Sequence, residues 1–144
     1  MKPQTITFHI DPMGKPRMTR KDAWAKRACV VRYWEFKAAL NKVLNENPFI
    51  IEAIDWGVIY RVDWTAYFTI PKSWSKKKKD QHRGQIHRHR PDRDNVDKAI
   101  LDAIFKDDSI ISDGLLKKRW DDGKGARIEM TFYEINLATS ARGD

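Results

Sequence analysis

Val58-Ile59-Tyr60-Arg61-Val62-Asp63-Trp64-Thr65-Ala66-Tyr67-Phe68-Thr69-Ile70 places Val, Tyr, Val, Trp, Ala, Phe and Ile on its even positions. Alternation at a period of two is the pattern of a strand with one face in a core, so this stretch predicts one long half-buried strand. Pro71 ends it, because proline brings no N–H to a ladder. A basic stretch of about twenty residues follows as a loop, longer than compact domains usually tolerate without a functional reason. Downstream, Val96, Ala99, Ile100, Ala103 and Ile104 recur at helical spacing, which predicts a helix over 95–106 with that stripe inward. Asp121-Asp122-Gly123-Lys124-Gly125 reads as a hairpin turn. It would join a strand over 114–120 to one where Ala126, Ile128, Met130 and Phe132 alternate with Arg127, Glu129, Thr131 and Tyr133.

Upstream, Ile6, Phe8 and Ile10 alternate with Thr5, Thr7 and His9 as a further strand, ended by Asp11-Pro12-Met13-Gly14-Lys15-Pro16. Tyr33, Phe36, Leu40, Val43 and Leu44 fall within about 100° of one another on a helical wheel, predicting a helix over 27–46. Asn45-Glu46-Asn47-Pro48 stops it. The order is β-α-β-α-β-β, an α+β domain with two helices packed on a small mixed sheet. No repeat or composition break divides the chain. It reads as one domain over 1–136, with a mobile basic loop at about 72–90 and a frayed tail over 137–144.

The chain has 144 residues, 28 Lys+Arg against 20 Asp+Glu, a net charge of +8 and one cysteine. At 41% apolar and 11% aromatic residues it can bury a core, despite 33% charged content. Cys29 has no partner for an intrachain disulfide and excludes a Cys-rich zinc module. The N-terminal MKPQTITFHI lacks the apolar block of a signal peptide, and no apolar run nears the ~20 residues of a membrane span. These features point to a soluble, cytoplasmic protein.

The charge is uneven. Over 72–93, Lys72, Lys76, Lys77, Lys78, Lys79, Arg83, Arg88, Arg90 and Arg93 face only Asp80 and Asp92, a net +7. A concentrated excess of this kind suits a polyanion, nucleic acid before membrane, since no amphipathic helix accompanies it. Lys15, Arg17, Arg20 and Lys21 add an arm that could contact phosphates without reading sequence. His82, His87 and His89 lack a closed zinc ligand set and read as neutral or phosphate-facing. Trp74 would either stack on an unpaired base or anchor the loop. Trp24, Trp34, Trp56, Trp64 and Trp120 read as core or interface. Leu101 and Phe105 lie off the inner stripe of their helix and are expected to meet a partner surface.

The chemistry concentrates in Pro91-Asp92-Arg93-Asp94-Asn95-Val96-Asp97-Lys98. Asp92 and Asp94, two apart after a proline, can point to one side, where they repel unless a cation sits between them. Mg²⁺ suits such hard oxygens. Lys98 lies about 40° from Asp94 and off the core stripe. Two acids and a lysine on one edge answer the needs of metal-assisted phosphodiester hydrolysis: charge neutralisation, an activated water and a cation for the transition state. The same residues also have an architectural reading, with Asp94 as N-cap, Asp97 at N3 and Lys98 on the surface. A third acidic ligand is needed, and spacing leaves Asp102, Asp107, Asp108 and Asp113 open.

This stretch, continuing Ala99-Ile100-Leu101-Asp102-Ala103-Ile104, resembles the signature of the RusA family of Holliday junction resolvases, approximately D-x-D-N-L-x-K-x-x-x-D-A-L. Gly14-Lys15-Pro16-Arg17 resembles the family's proline- and basic-rich segment after the first strand, and the element order is similar. The resemblance implies that the third essential aspartate is Asp113, within Ile111-Ser112-Asp113-Gly114. Asp92, Asp94 and Asp113 would then be metal ligands, and all three with Lys98 catalytic. It further implies a Mg²⁺-dependent homodimer, with Mn²⁺ as an alternative ion, that resolves four-way DNA junctions by paired nicks leaving 5′-phosphate and 3′-hydroxyl ends. Lys15, Arg17, Arg20, Lys76, Lys77, Lys78, Lys79, Arg88, Arg90 and Arg93 are the expected DNA contacts. The chain departs from the family at Ser112, where a second aspartate is common, and at Leu115, where glutamine is. Two other readings stand beside it: a broader branched-DNA nuclease, and a non-catalytic nucleic-acid-binding protein.

Overall fold

The computed structural model describes residues 2–17, 19 and 27–135. Its elements are β1 (Gln4–Phe8), α1 (Ala28–Asn45), α2 (Pro48–Asp55), β2 (Ile59–Phe68), α3 (Lys76–His82), α4 (Arg93–Ile104), β3 (Leu116–Trp120) and β4 (Arg127–Glu134), with a 3-10 turn at Asp108–Ile110. The strands form one mixed sheet in the order β1-β4-β2-β3. β4 is antiparallel to both β1 and β2, whereas β3 runs parallel to β2. The fold is α+β, as the alternation of periods anticipates.

The two long helices share the core with the sheet. Val30, Tyr33, Phe36, Leu40 and Leu44 of α1 and Val96, Ala99, Ile100, Ala103 and Ile104 of α4 are buried with Phe8, Val62, Trp64, Ala66, Ile128, Met130 and Phe132. Polar bonds fix the helix pair as well. Tyr33 Oη donates to the Ala99 carbonyl at 3.3 Å, and Asn41 Nδ2 donates to that of Ala103 at 2.9 Å. These bonds occupy backbone acceptors on α4 and hold it at a set height along α1.

Several expectations need correction. The hairpin does not form: β2 lies between β3 and β4, and the 121–126 connection instead crosses the end of β2, where Asp121 N–H bonds the Phe68 carbonyl. The turn residues are as expected, but a turn signal does not say which strands it pairs. Pro48 stops α1 and also opens α2, where it occupies the first turn and needs no N–H partner. The alternation in β2 slips at a bulge between Ile59 and Arg61, so Ile59 is buried and Tyr60 only half so. Phe105 is 5% exposed and belongs to the core rather than to a partner surface, and Leu101 packs against that core. Trp64 and Trp120 are buried, Trp34 and Trp56 are exposed, and Trp24 lies outside the described residues, as does the expected frayed tail. Among the described residues no helix is long and apolar enough to cross a membrane.

Candidate active site and nucleic-acid face

The α4 helix begins at Arg93, two residues before the expected start, so Asp92 rather than Asp94 takes the N-cap position. Its carbonyl accepts from Val96 N–H at 3.0 Å, but its carboxylate makes no capping bond. Asp94 sits in the first turn. The aligned peptide dipoles of α4 favour both anions there. Both carboxylates are exposed, and neither has an ion pair or side-chain hydrogen bond with a described residue. Lys98, one turn on, is likewise exposed and unpaired among the described residues.

Asp113 is placed by the sheet. Its carbonyl accepts from Val62 N–H at 3.2 Å and its N–H bonds the Tyr60 carbonyl at 3.3 Å, extending the parallel ladder just ahead of β3. Gly114 follows because a Cβ there would lie 2.6 Å from the Val62 carbonyl oxygen. Ser112 turns its hydroxyl back onto the Tyr60 carbonyl. Asp113 then lines a hollow of about 140 Å³ with Asp97, Leu101 and Ser112, which puts it beside the middle of α4. Among the described residues no three His, Cys, Asp or Glu are gathered closely enough to hold a metal ion. Asp113 is thus brought to the helix that carries Asp92 and Asp94, without a closed set forming around the three.

Asp97 is the acidic residue that sequence reasoning underrates. Trp64 Nε1 donates to its Oδ1 at 2.8 Å. Burial raises its pKa, the Trp64 bond offsets this in part, and the charges of Asp108 and Asp94 add to the rise. The available signal was a tryptophan on the inward face of β2, whose N–H must find an acceptor when buried.

The arm after β1 is stitched onto α4. Lys15 N–H bonds the Asn95 carbonyl at 3.3 Å, and Lys15 Nζ pairs with Asp102. Burial alone would raise the Asp102 pKa; the Lys15 hydrogen bond and charge outweigh it and hold the carboxyl below its usual range. Asp108, which shares a hydrogen bond with Asp102, is pushed up by burial and by that neighbour. Lys15 therefore spends its ammonium within the protein and positions the arm. Arg17 is exposed, and Arg20 lies outside the described residues.

The basic stretch is more ordered than a loop. Ser75 Oγ accepts from Lys78 N–H at 3.2 Å and caps α3, which carries Lys76, Lys77, Lys78 and Lys79. Lys78 Nζ lies 3.9 Å over the Trp74 ring, and Trp74 packs 5.0 Å from Trp120, so this aromatic anchors the stretch. Gly84, at φ +72, turns the chain so that the next residues run antiparallel along the free edge of β3. His87 N–H bonds the Lys118 carbonyl at 3.1 Å, and Trp120 N–H bonds that of Gln85 at 2.8 Å. Lys118 Nζ donates to the carbonyls of His89 and Pro91 at 2.6 and 2.5 Å. That ties the approach to Asp92 onto β3. Burial lowers the Lys118 pKa, against the opposing pull of the Asp92 charge. Arg88, Arg90 and Arg93 are exposed beside the two exposed carboxylates Asp92 and Asp94.

The search of curated proteins returned no match. The family model described as endodeoxyribonuclease RusA matches residues 8–131, from the end of β1 into β4 and across every element just described. The chain belongs to the RusA endodeoxyribonuclease family.

Proposed function

We propose that this protein is a Mg²⁺-dependent endonuclease that resolves four-way DNA junctions by paired, symmetric nicks. The observation that carries the reading is the pair Asp92 and Asp94: two exposed carboxylates, unpaired among the described residues, at the end of the most basic run of a +8 chain. Acids on a surface that attracts phosphate oppose that attraction unless a cation joins them. Their hard oxygen donors suit Mg²⁺, with Asp113 completing the set and Mn²⁺ able to substitute. A bound divalent ion supplies Lewis-acid neutralisation of phosphate charge. Lys98 offers a further cation to the charge that develops on the phosphate. Lys76, Lys77, Lys78, Lys79, Arg88, Arg90 and Arg93 hold the backbone on either side. Two junction strands of like polarity call for two sites related by a two-fold axis, hence a homodimer.

Asp92→Asn tests this directly. Divalent-dependent cleavage of a synthetic mobile junction should disappear while junction binding survives, because losing a negative charge eases repulsion with phosphate. Loss of binding and cleavage together would overturn the metal assignment. Comparing four-way, three-way and linear substrates on the wild-type protein separates a resolvase from a broader branched-DNA nuclease.

A further inference from the structure

Between α3 and the 85–89 segment lies a hollow of about 490 Å³, lined by Gln81, His82, Gln85, Arg88, His89 and the edge of Trp120. Beneath it the rings form a fixed platform. His87 stacks 4.2 Å from Phe68 and is tilted against Trp120 at 4.3 Å, and Trp74 lies 4.7 Å from His82 and 5.0 Å from Trp120. His89 stands over this platform, 5.3 Å from Trp120 and 5.9 Å from Trp74, with its own ring exposed. A rigid aromatic base under an open cavity is what stacking on a planar ligand requires.

The walls add edge recognition. The Gln81 and Gln85 amides are exposed and make no side-chain hydrogen bond with a described residue, so each presents an unused donor and acceptor. His82 Nδ1 lies 2.7 Å from the Lys78 carbonyl oxygen and donates to it, which fixes the ring and leaves Nε2 to meet a ligand. Paired amides match the complementary donor and acceptor edges of a nucleobase. Arg88 on the rim, with the lysines of α3 behind, supplies the positive charge that a nucleotide's phosphate needs.

We infer that this hollow receives one unstacked nucleobase of the DNA substrate, stacked on the exposed His89 ring that the buried Trp120 supports edge-on, with its edge read by Gln81 and Gln85 and its phosphate on Arg88. The inference rests on the proposed action on branched DNA, because a branch point supplies bases without a stacking neighbour. It makes the 81–89 segment a specificity element at a distance from the carboxylates. A base held here fixes which phosphate lies against Asp92 and Asp94, so base identity is converted into a choice of cleavage position.

The test is a panel of junctions differing only in the base pairs at the branch point, cut by wild type and by a Gln81→Ala, Gln85→Ala double variant in Mg²⁺. Wild type should favour some sequences, and the double variant should flatten that preference about tenfold or more, the discrimination that a good bidentate contact provides. Its affinity for the junction, dominated by phosphate contacts, should change little. A His89→Ala variant should weaken the fluorescence response of 2-aminopurine placed at the branch point without altering the circular dichroism of the protein. Sequence preference retained in the double variant, or cleavage by wild type that ignores sequence while junction binding is intact, refutes the base site alone. Failure of wild type to bind or cut any junction refutes the proposed function instead.

Discussion

Lowering the pH from about 7.5 to about 5 should cost this fold about 2 kcal/mol through His87 alone. The ring is 7% exposed, stacked on Phe68 and tilted against Trp120, and its Nδ1 has no hydrogen-bond partner among the described residues. Burial, with the Lys118 and His89 charges adding, pushes its pKa from 6.5 down to about 4. An imidazole whose folded pKa lies below its unfolded value contributes stability that is complete above the unfolded value and lost as pH falls toward the folded one. Within that window the unfolded chain takes up a proton that the folded chain refuses. The full gap corresponds to about 3 kcal/mol, of which about 2 is spent by about pH 5, a substantial part of an ordinary domain's margin. Urea midpoints at the two pH values, for wild type and for His87→Phe, isolate the effect because every other titrating group is common to both. Phenylalanine keeps a planar ring in the stack and takes up no proton. Wild type should lose about 2 kcal/mol more than the variant over this interval. Equal losses would refute the buried, neutral imidazole and with it the rigid platform beneath the base site.

Two more predictions address the support of the carboxylates and of the sheet end. At Gly14 a Cβ would lie 2.5 Å from Asn95 Nδ2 and 2.8 Å from Pro91 Cβ. The amide can swing aside but the proline ring cannot, so Gly14→Ala should cost about 1 to 2 kcal/mol and lower kcat with junction affinity preserved. Unchanged melting and unchanged kcat would contradict it. The Arg127 guanidinium, its side chain 6% exposed, grips both Asp122 oxygens at 3.0 Å and lies 3.8 Å over the Tyr67 ring. That contact holds the Asp122 carboxyl down to about 2. Asp122→Asn leaves a buried cation with Glu129 as its remaining acidic partner and should cost about 2 to 3 kcal/mol in a urea melt. A loss below about 0.5 kcal/mol would show the pair to be dispensable.

Much of this architecture is readable along the chain wherever one side of an element is buried. The α4 stripe and the even positions of β2 from Val62 onward report burial directly, because a helix or strand with one face in a core must repeat its apolar residues at its own period. Partner choice in the sheet is not encoded that way. Leu116 to Trp120 and Arg127 to Glu134 look like neighbours through their turn, yet the parallel pairing with β2 wins because it covers the β2 edge with Trp120 inward. The short α3 helix was hidden by composition: four lysines in a row suggest repulsion, whereas the Ser75 cap and the Lys78–Trp74 contact are local bonds that only coordinates reveal. At the site, the placement of Asp92, Asp94 and Lys98 near the start of one helix was legible from their spacing. The approach of Asp113 depends on the β2–β3 register, and the engagement of Asp97 by Trp64 is a tertiary contact across 33 positions. Neither leaves a periodic trace.

The sheet order also governs when this nuclease can exist during synthesis. β4 lies between β1 and β2, so the strand that joins the two halves of the sheet is the one translated last. Until it leaves the ribosome, β1 lacks its ladder partner and β2 has one edge bare. Such long-range closure is slow and cannot begin early. The core beneath α4, to which Ile128, Met130 and Phe132 contribute, is therefore complete only after β4 has emerged.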